Sequence, residues 1–176
     1  MEPLSFNNLL FRTAFCCMAC DGDIDAKEVT LLKTMCEKLP FLKDIDFKTE
    51  SNILIEQINE RGTDLLVEYL DSLKSTSLSE EEEITLIDYA IKMIKADEII
   101  KYSEIKFFKN IRYRLKVSDE KLWERFSEEE YIERFLEKEI ETQSLLDKIT
   151  SQYLDIAKLP KFELISFDAN LLETKL

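Results

Sequence analysis

Two stretches of this chain repeat one another at a fixed offset, and that constrains the fold more than any other feature. Laying Asp97 on Asp21 also lays Glu104 on Glu28, Ala90 on Ala14, Phe107 and Phe108 on Leu31 and Leu32, Ile111 on Met35 and Leu115 on Leu39, without a gap. Each copy reads as an apolar helix, an acidic turn and a second helix, a unit that cannot bury its apolar faces alone and must pack on its duplicate. The fold expected is all-α, a helical bundle of about seven to nine helices built on a duplicated helix–acidic turn–helix unit. Composition agrees, because only two Gly and three Pro interrupt 176 residues and Leu, Ile, Lys and Glu favour helix.

The first corner, residues 14–28, carries most of the chemistry. Asp21-Gly22 is a turn dipeptide, and Gly22 can take the positive φ that ends a helix. Asp25 and Glu28 have the spacing of a capping box, in which each carboxylate accepts from the other's backbone N–H. With Asp21 and Asp23 they place four carboxylates in eight residues, an arrangement that invites a positive partner. The run Asp21-Gly22-x-Ile24-Asp25-x-x-Glu28 is similar to the second half of an EF-hand loop, but Cys17 and Ala19 stand where its first two oxygen ligands belong, which excludes a complete EF-hand. A capping box and a cation site can coexist here. At the second corner Glu98 replaces Gly22 and Lys101 replaces Asp25, so a cation enters among the acids.

Three-four spacing of apolar residues sets the remaining elements. A first helix over about residues 7–20 is apolar nearly all round, which puts it in the middle of a bundle. A second over 26–39 turns Val29, Leu32, Cys36 and Leu39 inward and closes at Pro40. A third over 47–60 presents Ile53, Ile55 and Ile58. Thr63 or Asp64 caps a fourth, and Ser79 with Glu82 caps a fifth whose acidic run 80–83 reads as a solvated first turn. Residues 106–114 read as an amphipathic helix with Lys and Arg snorkelling beside an aromatic stripe. From Asp119 onward there are fifteen acids and eight bases, about half of the net charge of −13. Here Ser127 and Glu130 suggest a cap for a helix through Tyr131, Phe135 and Leu136, and another helix over 142–158 presents Leu145, Ile149, Tyr153 and Ile156 up to Pro160. The tail from Phe162 to Phe167 reads as extended or a short helix. This region is expected either to pack on the bundle or to serve as a partner-binding arm.

The strongly acidic balance argues against a nucleic-acid partner. No apolar run reaches membrane-spanning length, and Met1-Glu2-Pro3 lacks the basic start of a signal peptide, so a cytoplasmic protein is expected. Cys17-x-x-Cys20 has a zinc-like spacing, but no second pair follows and the chain has no His, so Cys16, Cys17, Cys20 and Cys36 are expected to be reduced, buried thiols. No phosphate-cradling Gly-rich loop or nucleophile elbow appears, and no enzyme is expected.

Over roughly residues 5–118, through Asp21-Gly22-Asp23-Ile24-Asp25-Ala26-Lys27-Glu28 and Ala96-Asp97-Glu98-Ile99, the chain resembles the TerB-like domain, a family named for bacterial tellurite-resistance proteins. The resemblance implies pseudo-twofold symmetry between the two units, in a TerB-like helical domain over residues 1–118 with an acidic helical extension over 119–176. It also implies a role in stress response or a multiprotein assembly, and a metal-holding patch made of Asp21, Asp25, Glu28, Asp97 and Glu104. With carboxylates as the ligands, such a cation would be Ca2+, Mg2+ or Mn2+. The alternative is a structural interaction domain with no metal site, whose acidic helices dock on a basic protein partner. A third idea, thiols reacting with oxyanions such as tellurite, requires a solvent-accessible cysteine.

Overall fold

The structure, a computed structural model, describes residues 4–129, 132–137 and 143–166. Among the described residues it is all-helical, with α1 (Phe6–Ala19), α2 (Ala26–Lys38), α3 (Phe47–Arg61), α4 (Thr63–Ser75), α5 (Glu80–Ile94), α6 (Tyr102–Arg112), α7 (Asp119–Phe126), α8 (Ile132–Leu136) and α9 (Gln143–Ile156). The expected all-α bundle is therefore the fold. Glu130, Tyr131, Thr142 and Phe167 lie outside the described residues, as does the side chain of Leu145.

The two repeated units are α1–α2 and α5–α6. Helix α1 packs against α5, α1 also meets α6, and α2 meets α5, the contacts that a twofold relating the units would exchange. Because α1 is apolar on nearly every side, it takes the centre, touching α2, α4, α5 and α6 and burying Leu9, Leu10, Phe15, Cys17 and Met18 completely. Its buried Thr13 is satisfied by donating to the carbonyl of Leu9 and accepting from the hydroxyl of Tyr69, both at 2.8 Å, as a buried polar group requires.

The C-terminal region supplies more of the fold than its charge suggests. Helix α9 lies on α6, burying Ile149 and Tyr153. Thr150 donates to Asn110 Oδ1 at 2.8 Å and Arg114 donates to Thr150 at 3.2 Å. This covering layer explains why Lys106 and Lys109 are buried rather than snorkelling at the surface, with Lys106 Nζ donating to Gln152 at 3.1 Å. After α9 the chain from Ala157 to Ser166 forms neither helix nor strand, and Phe162 and Ile165 lie along α3.

Several local expectations differ from the structure. Ile53 is 40% exposed, and Leu54 with Ile55 and Ile58 forms the buried face of α3 instead. Gly62, not Thr63 or Asp64, is the N-cap of α4. Ser127 closes α7 rather than opening α8. Ile156 is exposed at the end of α9, which stops well before Pro160. Glu83 is not solvated: it is buried and accepts from the backbone N–H groups of Lys116 and Val117 at 2.7 and 2.6 Å. Its carboxylate thereby fixes the loop that follows α6.

Candidate functional site

The two acidic corners are built alike. At the first, Gly22 has φ +89°, Asp21 Oδ1 accepts from the N–H of Asp23 at 2.9 Å, and Glu28 Oε2 accepts from the N–H of Asp25 at 2.9 Å. At the second, Asp97 Oδ1 accepts from Ile99 N–H at 2.9 Å and Glu104 Oε2 accepts from Lys101 N–H at 2.6 Å. Glu98, which replaces Gly22, keeps the left-handed conformation at φ 69° despite its side chain. The turn geometry is thus duplicated with the sequence. Ile24 and Ile100, equivalent positions, both pack against the core.

The corners meet. Lys101 Nζ donates to Asp21 Oδ2 of the opposite corner and lies 4.0 Å from Asp23. Asp21's side chain is only 6% exposed, so this ion pair is screened less than one at the open surface. Glu28 and Glu104 are 4% and 2% exposed. Burial, the largest cause, pushes the Glu28 carboxyl up to about 9; the Asp25 N–H opposes this, and the charges of Asp21, Glu104 and Asp97 add to it. Glu104 is pushed up to about 7, again first by burial, opposed by the Lys101 N–H, with Asp21 and Asp97 raising it further and the Lys101 charge lowering it. Near neutral pH, then, Glu28 holds a proton. Three things offset the crowding of acids: that proton, the Lys101 ammonium and the backbone N–H groups of the two turns.

Of the five candidate ligands, Asp21, Asp97 and Glu104 act electrostatically on Glu28, and Asp21 and Asp97 on Glu104. Asp25 instead accepts from Lys27 N–H at 2.7 Å in its own first turn. Lys101 pairs with Asp21, and Glu28, Asp97 and Glu104 each accept from a backbone N–H of their own turn. Among the described residues no group of three or more His, Cys, Asp or Glu side chains is arranged to hold a metal ion.

The four cysteines are free and buried. Burial raises the Cys16, Cys17, Cys20 and Cys36 thiols, Cys36 to about 11, and Glu104 and Glu28 add to the rise at Cys17 and Cys20. These thiols are protonated and shielded, the opposite of a reactive cysteine, so the solvent access that oxyanion chemistry requires is missing.

Sequence alone does not reveal how the C-terminal segment is tied to the first corner. Tyr153 donates to the carbonyl of Cys20 at 2.8 Å. A Cβ placed on Gly22 would sit 2.2 Å from the carbonyl oxygen of Lys158, so glycine is needed there for close approach as well as for the turn. Farther along, Asn59 accepts from Phe162 N–H and donates to Phe162 C=O, both at 2.7 Å. Asn52 does the same for Ile165 at 2.8 and 3.3 Å. The seven-residue spacing of the two asparagines on α3 is the only trace of this in the sequence, and it is not distinctive by itself.

No family model, curated protein or solved structure matches the chain. Among the described residues no helix is long and apolar enough to cross a membrane.

Proposed function

We propose that the chain is a non-catalytic helical module that binds another protein, TerB-like in the layout of its two corners, with the Lys101 ammonium standing where a TerB-like domain would hold a cation. The observation that carries this reading is the ion pair from Lys101 to Asp21 across the junction of the two repeats, which satisfies the acidic patch from within. Buried Glu28 and Glu104 have unusual proton affinities, but at 4% and 2% exposure they are out of reach of a substrate, which favours a structural role over acid–base catalysis. The net charge of −13 supports a basic partner surface and association that weakens with salt. In the assembly isolated from its source, rising salt should shift the chain to its monomer elution volume, whereas chelator should not. An assembly that comes apart in chelator at low salt would overturn this reading.

The convergence of Asp21, Glu28, Asp97 and Glu104 favours a second reading, a divalent cation at the corner junction that displaces Lys101. On that reading, chelator-stripped protein titrated with Ca2+, Mg2+ or Mn2+ would bind with saturable micromolar heat, and Asp21→Asn with Glu28→Gln would abolish it. The first reading predicts no saturable binding up to millimolar cation.

A further inference from the structure

The face of α3 that receives the C-terminal segment holds it by its main chain. Each of Asn59 and Asn52 uses its amide as a fork, with Oδ1 accepting a backbone N–H and Nδ2 donating to the C=O of the same residue. Such a fork uses both halves of the carboxamide and is indifferent to the side chain it reads. The two forks are seven residues apart, about 10.5 Å along a helix, and the residues they hold, Phe162 and Ile165, are three apart, about 10 Å in extended chain. The registers match, with the segment running antiparallel to α3. Selectivity falls to the segment's side chains: Leu159, Phe162 and Ile165, every third residue, all pack against the core, while Leu164 is 51% exposed.

The segment does not fill the space it occupies. Between it and α2 an open groove of roughly 1530 Å3 remains, lined by apolar Val29, Ile45 and Phe162 together with charged Lys33, Glu37 and Lys48. Phe162 and Ile165 are only half-buried. A closed core element would be packed to interior density; this segment is bordered by open space on its α2 side, and so can leave its place without breaking a tightly packed core.

We propose that the α2–α3 face is a receptor for an extended segment of a partner protein carrying apolar side chains at every third position, and that residues 158–166 are its built-in occupant, displaced when the partner binds. This rests on the reading of the chain as a protein-binding module and names the surface used. The built-in segment competes as a tethered ligand, at an effective concentration of about millimolar, so a free peptide binds the resting protein weakly.

The test uses the full chain and, as probe, a dye-labelled synthetic peptide of residues 157–166. Phe162→Asp with Ile165→Asp releases the tethered segment, and the peptide then binds at least tenfold tighter than it binds the unaltered protein. Adding Asn52→Ala and Asn59→Ala to that variant removes at least tenfold of the affinity, and a peptide of the same composition with the three-residue spacing scrambled does not bind. If the Asp variant loses helical circular dichroism, Phe162→Ala with Ile165→Ala replaces it. In the unaltered protein, amide exchange at Phe162 and Ile165 is at least a hundredfold faster than in α1. No gain in affinity on release, affinity indifferent to the two asparagines, or exchange as slow as α1 overturns the proposal. So does a concentration-dependent dimer that Phe162→Asp abolishes, which assigns the face to a second copy. Any of these leaves the salt and chelator response, which tests the broader reading, unaffected.

Discussion

Lys101 occupies the position at which the duplicate carries Asp25, and this one difference changes what the acids around it can do. Its ammonium reaches Asp21, and Asp21 raises its proton affinity in return, chiefly through that hydrogen bond. Glu28 lies beyond this help. It is held neutral by burial, with Asp21, Glu104 and Asp97 adding to the effect. An acid whose proton affinity is higher folded than unfolded stabilises the fold at low pH. That contribution is complete below the unfolded carboxyl value and is lost as pH rises to the folded value. The windows run from the ordinary glutamate value of 4.5 to about 9 for Glu28 and from 4.5 to about 7 for Glu104. Glu28→Gln keeps an acceptor for the Asp25 N–H and removes the ionisation. It should therefore raise the melting temperature at pH 9, by on the order of 1 kcal/mol or more in stability and several kcal/mol at most, and raise it much less at pH 5. Thermal melts of both proteins from pH 5 to pH 9 check this, and parallel curves would refute it.

Among the elements, those with local signals were readable from sequence. The capping boxes of α2 and α5 are as the spacing implies, and the all-round apolar α1 is central because no other position would bury it. What sequence could not show depends on contacts between residues far apart in the chain. Glu83 looks like one of four solvated acids in a helix start, yet it caps a loop more than thirty residues downstream. Lys106 and Lys109 look like surface residues until α9 covers α6. Asn52 and Asn59 carry no mark beyond an undistinctive seven-residue spacing, and their partners lie over a hundred residues away. Gly22 was legible as a turn but not as the crossing point of the C-terminal segment. Gly22→Ala meets both a left-handed φ and a Cβ 2.2 Å from a backbone oxygen. The conformation alone costs about 1–2 kcal/mol, so a loss above about 2 kcal/mol is expected in denaturant unfolding. Faster amide exchange at Phe162 and Ile165 should accompany it as the segment is pushed away. Unchanged exchange would mean that the segment docks independently of the corner.

For the molecule as a whole, the duplication sets the architecture, and the divergence between the copies sets the chemistry of their junction. The fold class followed from the repeat and the composition. The candidate site was only partly legible: spacing identifies which carboxylates sit at corners and places Lys101 among them as a possible internal salt bridge, but not that Asp21 of the opposite corner is its partner. The halves are joined across their junction by the Lys101 ammonium on Asp21. The most direct test is to melt chelator-stripped protein with and without Ca2+, Mg2+ and Mn2+, comparing the unaltered chain with Lys101→Asp, which restores the acid of the first corner to the second. With Lys101 as the fixed cation, divalent ions leave the unaltered chain's melting temperature unchanged, while Lys101→Asp melts lower in chelator and recovers as a divalent cation is added. A saturable cation-dependent rise in the unaltered chain would contradict this.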